Sequence, residues 1–354
     1  MDLQTTVAAS MLPASRASVA AAFKDLRHDS ATGAAFLELL WCASGKRQLL
    51  GPAAVAALLD GANSALSAAE PLGIEPVPLF DARYPPLLVC TVDPPPVLWA
   101  RGCLDVLSRP AVAVVGSRAA TPYALEVGAR ISAELAARGV AVVSGLARGV
   151  DSAAHRGCLK AGGTTVAVLG SGIDRVYPPE HADLAAEIAQ HGLLLSELAP
   201  GAAPLPEHFP LRNRIISGIS LATVVVEASE QSGSLITARC ALEQGRDVMA
   251  VPGSVLSGRN RGSHALLKDG AKVVETAEDI LEGLGWSTES PTSTASNSLI
   301  SEPLLEGMAV GEAYELDHLA ALSRLSPRQL LARLTELELS GIVEISGSIV
   351  TRKQ

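Results

Sequence analysis

Residues 111–274 repeat one pattern of apolar and polar positions several times. Each repeat has a short run of consecutive apolar residues, such as 112–115, 224–226 or 248–251, followed by a loop of small residues and a helical segment. The apolar runs do not alternate with polar residues, and strands of that kind are buried on both faces. The pattern therefore predicts an α/β fold with a doubly wound, mostly parallel, Rossmann-like sheet.

The segments before this repeat have other patterns. Residues 1–75 carry Ala and Leu at helical spacing, which predicts a small helical domain of the SAM or helix-hairpin-helix type. A plain accessory role and a DNA-contacting role both remain open for it. Residues 76–285 form the extended Rossmann-like domain, which we expect to bind the ligand. Prolines exclude long helices from residues 71–110, so we expect a connector of short extended pieces that packs on the next domain.

The C-terminal region divides in two. Residues 286–303 are rich in Ser and Thr and have the composition of a flexible linker. Residues 304–354 predict a helix at 315–320, a second helix capped by Ser326, and a hairpin at 341–350. This is the element order of a winged-helix domain, which either binds DNA or serves as an interaction module.

The charge limits how the protein can bind a polyanion. The formal net charge is −9, and none of the four regions is basic overall. Bulk attraction to nucleic acid is therefore absent, and any site for a polyanion must be a local cluster of cations.

The cysteines and the N-terminus narrow the class of protein further. The five cysteines are scattered without a Cys-x-x-Cys pair, so we expect isolated, buried thiols and neither a zinc site nor a disulfide framework. We find no signal-peptide pattern and no apolar run of about 20 residues, so we expect no membrane span and a cytoplasmic protein.

Small and polar residues follow strand after strand in the predicted sheet. Ligands of such sheets bind outside the carboxyl ends of the strands, and six small-residue loops favour a site at that edge. Arg118 directly follows a strand, where its guanidinium would point into the cleft. Residues 232–235 open a helix, and the free N–H groups expected at its start favour an anion. The strand-end candidates are Gly116, Ser117, Arg118, Arg148, Gly170, Ser171, Ser232, Gly233, Ser234 and Leu235.

A helix predicted at residues 211–220 forms one wall of this site. Its periodicity gives one face that packs on the sheet and an opposite polar face. The packed face has Leu211, Ile215 and Ile219, and the polar face has Asn213, Ser217 and Ser220.

Four residues at the start of this helix are candidates for ligand contact. Arg212 lies in the first turn, where it can bind a phosphate through its guanidinium fork, although an Arg–Glu scaffold is the alternative. Asn213 follows it. Arg214 either contacts the ligand or pairs with a carboxylate such as Glu197 or Glu227. Phe209 either stacks on a base or anchors the loop in the core.

The absence of certain motifs excludes several chemistries. The sequence has neither a Gly-x-x-x-x-Gly-Lys-Ser/Thr loop nor a Gly-x-Gly-x-x-Gly after the first strand, so we expect no P-loop ATP hydrolysis and no nicotinamide cofactor. No cofactor or metal is predicted. Asp151 and His155, one helical turn apart, are expected to cap and pack. Glu227 and Glu243 could form an acid/base couple, but salt bridges are the simpler interpretation.

Several motifs together resemble one family. They are Gly116-Ser117-Arg118, the run from Ser144 to His155, Gly170 to Pro178, Phe209 to Ser220, Ser232 to Ala238, and Ala250 to Gly253. In this combination they resemble the DNA-processing protein A (DprA/Smf) family. The resemblance covers about half of the chain, and the order of the predicted domains resembles a long member of the family.

The resemblance implies a non-catalytic protein that binds and protects single-stranded DNA. It also implies loading of the RecA recombinase in natural transformation or DNA repair, and a homodimer formed through the Rossmann-like domain. The residues implied to line the DNA pocket are Gly116, Ser117, Arg118, Phe209, Arg212, Asn213 and the loop Ser232–Leu235. One departure is that many relatives carry a basic residue before the Phe, whereas residues 205–208 here offer none that is firmly charged.

Two other functions remain open from the sequence. Related Rossmann-like domains include phosphoribohydrolases, so an enzyme that acts on a nucleotide or sugar phosphate is the main alternative. A pure protein-interaction scaffold is the other.

Overall fold

The computed structural model describes residues 2–26, 33–45, 50–286, 308, 312–316, 318–319, 330, 334, 337–338, 342–346 and 349–353. The chain forms two compact units, residues 1–288 and 289–354. The predicted linker from residue 287 onward and the predicted cap Ser326 lie outside the described residues.

A nine-stranded sheet forms the centre of the first unit. Its strands are β1 (Glu75–Pro78), β2 (Val97–Gly102), β3 (Ala111–Val115), β4 (Ala141–Ser144), β5 (Thr165–Leu169), β6 (Leu193–Ser196), β7 (Ala222–Val225), β8 (Asp247–Ala250) and β9 (Lys272–Val273). They lie in the order β1-β2-β6-β5-β4-β3-β7-β8-β9. Strands β3 to β9 pair in parallel, which confirms the predicted Rossmann-like sheet.

The helices cover both faces of the sheet. They are α1 (Leu3–Ser10), α2 (Arg16–Asp25), α3 (Gly33–Ala43), α4 (Pro52–Ala69), α5 (Pro86–Val89), α6 (Pro122–Ala137), α7 (Val150–Lys160), α8 (Ala182–His191), α9 (His208–Gly218), α10 (Ser234–Glu243), α11 (Arg261–Lys268) and α12 (Ala277–Gly283). Val112 and Val114 of β3 belong to a core cluster that includes residues of α6, α7 and α12, whereas Ala113 and Val115 belong to a second cluster that includes residues of α8, α9 and α10. Burial on both faces explains why the strands are continuously apolar.

The N-terminal helices share the second of these cores. Val7, Phe23 and Phe36 are fully buried in α1, α2 and α3, in the same cluster as strands β4 to β6. The helices predicted for this region are present, and the boundary at residue 75 stays a prediction.

The prediction of a connector at residues 71–110 was wrong in one respect. The extended pieces do not merely pack on the Rossmann-like domain, because β1 and β2 join its sheet through an antiparallel pairing of β2 with β6. The prolines that exclude a helix are compatible with this arrangement, since Pro76 and Pro78 lie in the edge strand β1, where fewer backbone N–H groups are needed.

The second unit contains three antiparallel strands in the order β10-β12-β11. They are β10 (Ala313–Glu315), β11 (Val343–Ser346) and β12 (Ile349–Arg352). Strands β11 and β12 confirm the predicted hairpin. Glu315 was wrongly assigned to a helix, because it ends β10 and pairs with Ile349. Buried Leu330, Leu334 and Leu337 share a core with Val343 and Val350.

The expectation that the thiols are buried was wrong for three of the cysteines. Cys158 is buried and Cys240 half-buried, but Cys42, Cys90 and Cys103 are exposed because they lie at or near the ends of elements. All five are free thiols. Within the described part of the chain, no helix has both the length and the apolar character needed to cross a membrane.

The crossing of α6 and α7 depends on Gly157. A Cβ at this position would lie 2.1 Å from the carbonyl oxygen of Ala129, which is backbone and cannot rotate away. We therefore expect Gly157→Ala to lower the free energy of unfolding by about 1–3 kcal/mol, through overpacking. Urea denaturation monitored by circular dichroism measures this change.

Gly61 provides the matched control. It lies within α4, and its added Cβ would meet only the Met11 sulfur at an ordinary 3.4 Å. Gly61→Ala should be neutral or should stabilise by up to about 1 kcal/mol through helix propensity. Equal effects of the two substitutions would contradict the proposed close crossing.

Candidate functional site

A cleft of about 380 Å³ opens where the strand order reverses. The chain proceeds from β3 to β4, β5 and β6 on one side and then returns to β7 on the other side of β3. Val115 pairs with Val225, so these two strands end level with each other. Ligands of doubly wound sheets bind at this kind of position, where the loops after neighbouring strands separate.

Most of the predicted residues line this cleft. The loop after β3, the first turns of α9 and the loop before α10 contribute Gly116, Ser117, Arg118, Phe209, Arg212, Asn213, Ser232, Gly233 and Ser234. A smaller hollow of about 40 Å³ lies on the other side of Phe209 and is lined by Arg118, Arg148 and Tyr177, among others. The structure thus brings three separate parts of the sequence to one sheet edge.

Phe209 separates the cleft from the smaller hollow. Its half-buried ring lies 5.8 Å from the Arg118 guanidinium carbon and 5.3 Å from the ring of Tyr177, centroid to centroid. Gly170 lies beneath the ring, and a Cβ there would approach the ring carbon Cδ1 to 2.9 Å. Gly170 therefore admits Phe209 and does not itself line either space.

Arg212 occupies a different place from the one its position in the first turn suggested. It is only 6 % exposed, and its Nη1 donates to the carbonyl oxygen of Gly145 at 2.6 Å and to that of Val168. Burial lowers the pKa of Arg212 to about 10, which leaves it charged at neutral pH. The guanidinium therefore lies in the floor of the cleft, where the ends of β4 and β5 present carbonyl oxygens, and its Nε has no hydrogen-bond partner among the described residues.

Asp151 is the acidic partner of this buried arginine. It lies in the first turn of α7, and its Oδ2 accepts from the N–H groups of Gly145 at 3.2 Å and Ala147 at 3.4 Å. Burial raises the pKa of Asp151, while the nearby Arg212 charge and these N–H donors oppose the rise. The expected capping and packing role is thus also a charge-balancing role.

Gly145 and Tyr177 line the smaller hollow, and the sequence patterns did not single them out. A Cβ on Gly145 would lie 2.3 Å from Nη2 of Arg212 and 2.8 Å from Oδ2 of Asp151, so only glycine fits between them. For Gly145 the signal available in the sequence was its short distance from Asp151 within one strand-loop-helix motif. For Tyr177 the signal was an aromatic residue in a loop of a chain with few aromatics.

Two strand-end candidates are engaged elsewhere. Arg148 is exposed but forms an ion pair with Glu180. Ser171 is buried, and its hydroxyl donates to the carbonyl oxygen of Arg175 at 2.6 Å. Arg148 keeps a place at the rim of the smaller hollow, whereas the Ser171 hydroxyl is used within its own loop.

The loop before α10 forms the wall opposite Phe209. Ser232 and Ser234 share a hydroxyl–hydroxyl hydrogen bond of 2.7 Å, and Asn213 donates from Nδ2 to the carbonyl oxygen of Gly233 at 3.3 Å. Gly233 at the start of α10 has no side chain, but the Ser232 hydroxyl accepts from the N–H of Ser234 at 3.4 Å, and the N–H groups of Leu235 and Ile236 donate to the carbonyl oxygens of Ser232 and Gly233 at 3.1 Å. The N–H groups predicted to be free at this position are therefore already bonded, and the start of α10 contributes the positive end of its dipole. Leu235 packs on the core and does not line the cleft.

Arg214 is part of the scaffold. Its Nε donates to Oδ2 of Asp93 at 2.8 Å and its Nη2 to Oε1 of Glu197 at 2.6 Å. Arg16 of α2 also lies 3.3 Å from Glu197. The expected pairing with Glu197 is therefore present, and it ties α9 to the N-terminal helices.

The predicted division of α9 into two faces was wrong. Leu211 is 38 % exposed, whereas Ser217 and Ser220 are fully buried. The helix is also packed on the side of Ser217, which donates to Oε1 of Gln244 at 2.7 Å. The hydroxyl of Ser220 donates to the carbonyl oxygen of Ile216, one turn earlier, at 2.8 Å. Hydroxyls satisfied in this way can be buried, so polarity did not mark the exposed side.

Fold and cleft together define a Rossmann-like protein with a cleft at the topological switch point that is lined by Arg118 and Arg212. The profile of the family described as DNA recombination-mediator protein A matches residues 76–285, and that of the DprA winged helix domain matches residues 288–347. The chain belongs to the DNA recombination-mediator protein A (DprA/Smf) family.

Individual relatives agree with this assignment. Protein Smf of Escherichia coli is 42% identical over 285 residues, which cover 77% of this chain and 76% of the relative. The X-ray structure of DNA processing protein A from Streptococcus pneumoniae matches with a TM-score of 0.68 and 37% identity over 78% of this chain and 95% of that one. The structure of DNA processing protein A from Helicobacter pylori, whose title describes its single-stranded DNA binding mode, matches with a TM-score of 0.54 and 29% identity over 60% of this chain and 95% of that one.

The buried His155 makes the stability of the fold depend on pH in a testable way. It is fully buried in α7, and because Thr165 donates its hydroxyl to the carbonyl oxygen of Val142, the Nδ1–H of His155 donates to Thr165 Oγ1 at 2.7 Å. Burial, with Arg212 and His181 adding to it, lowers the pKa of His155 from 6.5 to about 3. The unfolded chain therefore takes up this proton first as the pH falls, and the folded state loses stability below about pH 6.5.

Between about pH 7.5 and about pH 5 we expect His155 to reduce the free energy of unfolding by about 2 kcal/mol. His155→Asn keeps an N–H donor for Thr165 but does not titrate, so this part of the pH dependence should disappear in the variant. Urea denaturation of both proteins at the two pH values measures the difference, in which contributions from Asp151 cancel. Identical pH dependence in the two proteins would show that His155 does not remain neutral.

Proposed function

We propose that the protein is a non-catalytic recombination mediator that binds single-stranded DNA in the cleft at the end of β3 and β7. The single observation that carries this proposal is the placement of an exposed Arg118 guanidinium beside the half-buried Phe209 ring at the topological switch point. One group can bind a phosphate and the other can stack on a base, which are the two contacts that a single strand offers.

The phosphate contacts come from a small number of groups. Arg118 is exposed and has no carboxylate within ion-pair distance among the described residues. Arg212 adds a positive charge beneath the floor, partly offset by Asp151. The start of α10 adds the positive end of a helix dipole on the opposite wall. A chain with a net charge of −9 thus concentrates its attraction for phosphate in one place.

The base contact favours single-stranded over double-stranded DNA. Phe209 and Tyr177 form an aromatic pair between the cleft and the smaller hollow, with their rings tilted by 45°. Bases can stack on such rings only where they are not already stacked in a duplex. Since every base has an aromatic face, this contact binds without sequence preference.

The alternative of a nucleotide or sugar-phosphate hydrolase gains no support from the cleft. Glu227 is 1 % exposed, and its carboxylate accepts from the hydroxyl of Thr121 at 2.6 Å at the start of α6. Neither Glu227 nor Glu243 lines the cleft. The carboxylate that does, Asp151, accepts from two N–H groups and interacts electrostatically with the nearby Arg212 charge.

RecA and a second copy of this chain are the proposed protein partners. Both follow from the family to which the chain belongs. A homodimer through the Rossmann-like domain would place two clefts on one strand, and the resulting avidity would compensate for the few cations in each site. Loading of RecA on DNA held in this way is the proposed outcome in natural transformation or DNA repair.

Arg118→Ala tests the phosphate contact. We expect it to weaken binding of a fluorescein-labelled oligo(dT) by about 1–2 kcal/mol and to reduce the salt slope of the affinity by about 0.7. Fluorescence anisotropy at two salt concentrations measures both quantities. Arg148→Ala is the matched control, because its charge is already paired with Glu180, and it should change the affinity much less. If wild-type protein binds single- and double-stranded DNA equally, the proposed function is wrong.

Phe209→Leu tests the stacking contact. Leucine keeps most of the packing against Gly170 but offers no aromatic face, so we expect a loss of about 1–3 kcal/mol with an unchanged salt slope. Phe209→Tyr keeps the ring and should bind like wild type. A loss of affinity in both variants would indicate that the position matters for packing and not for stacking.

A further inference from the structure

We propose that Arg259 is a further phosphate-binding residue, which extends the single-strand surface beyond the cleft on the side of β8. The inference rests on the proposed function and deepens it. It adds a residue outside the family motifs quoted above and gives a direction to the path of the strand.

Arg259 lies at the rim of the cleft, directly beside the loop that carries Arg118. It belongs to a short 3-10 helix, Gly258–Asn260, which precedes α11. Its Nη1 donates to the carbonyl oxygen of Ala119 at 2.5 Å. Ala119 and Arg118 are consecutive and both line the cleft, so the two guanidinium groups belong to one continuous edge.

The backbone that carries Arg259 is fixed to the wall of the cleft. Asn260 is 5 % exposed, and the N–H of Gly262 donates to the carbonyl oxygen of Ala228 at 2.8 Å. The hydroxyl of Ser263 accepts from the N–H of Ala228 at 2.9 Å. A Cβ on Gly262 would lie 2.5 Å from the carbonyl oxygen of Ser229, which itself lines the cleft. These contacts hold Arg259 at a defined position although its side chain is exposed.

The charges around the cleft single out Arg259. Two other exposed arginines near this edge have acidic partners, Arg148 with Glu180 and Arg261 with Glu230 at 3.8 Å. Like Arg118, Arg259 has no carboxylate within ion-pair distance among the residues that the structure describes. In an acidic chain, unpaired cations that lie together set the local potential and attract a polyanion.

The guanidinium of Arg259 still has donors to offer. Its hydrogen bond to Ala119 uses Nη1, and the remaining N–H groups can bind a pair of phosphate oxygens. The bond to Ala119 also fixes the orientation of the side chain, which reduces the entropy lost on binding. A strand that leaves the cleft past Arg118 would therefore meet a second oriented cation.

The experiment compares oligo(dT) of about 6 and about 20 nucleotides as ligands of the full-length chain. Arg259→Ala should weaken binding of the longer strand about three- to tenfold and lower its salt slope by about 0.7. The shorter strand, which can be held by the cleft alone, should be affected much less. Arg259→Lys keeps the charge and should keep the salt slope of wild type.

Arg261→Ala is the matched control, since Arg261 is an exposed arginine two residues away whose charge is paired with Glu230. It should leave the salt slope unchanged, and thermal unfolding should confirm that each variant is folded. An unchanged affinity in Arg259→Ala, or a loss without change in the salt slope, would overturn the inference. If Arg118→Ala still loses affinity in that case, the proposed function stands and only the extension fails.

Discussion

The guanidinium of Arg212 lies in the floor of the cleft, and the surrounding loops supply acceptors for its Nη1 and an opposite charge. It donates to the carbonyl oxygens of Gly145 and Val168 at the ends of β4 and β5. Asp151 supplies the opposite charge and accepts from the N–H of Gly145. An unpaired buried charge would cost several kcal/mol, so the loops after these strands can adopt few other arrangements. The close approach also explains why position 145 has no side chain.

The function proposed for the cleft depends on this buried pair. Because Arg212 and Asp151 fix the floor, Phe209 and Arg118 can project above it from different elements and still lie 5.8 Å apart. Arg214, two residues further along α9, secures the other side of the helix through Asp93 and Glu197. Two arginines of one helix turn thus hold the scaffold, and the exposed Arg118 of a neighbouring loop has no such structural partner among the described residues.

The sequence predicted the sheet well, because strands buried on both faces must be continuously apolar and the loops at their ends must be small. It also predicted that Arg214 could pair with Glu197. It could not place Arg212, since a position in the first turn of a helix does not show whether the side chain points to solvent or beneath a neighbouring strand end. Nor could it show that Ser217 is buried, because its hydrogen-bond partner Gln244 lies 27 residues away and becomes a neighbour only on folding.

Photo-crosslinking tests the central claim most directly, because it reports where the bases lie. A single strand that carries iododeoxyuridine, irradiated in complex with the full-length protein, should crosslink to peptides that contain Phe209 or Tyr177, and duplex DNA should compete poorly. Crosslinks that map only outside both the cleft and the smaller hollow, or that duplex DNA suppresses as efficiently as a single strand does, would contradict the account.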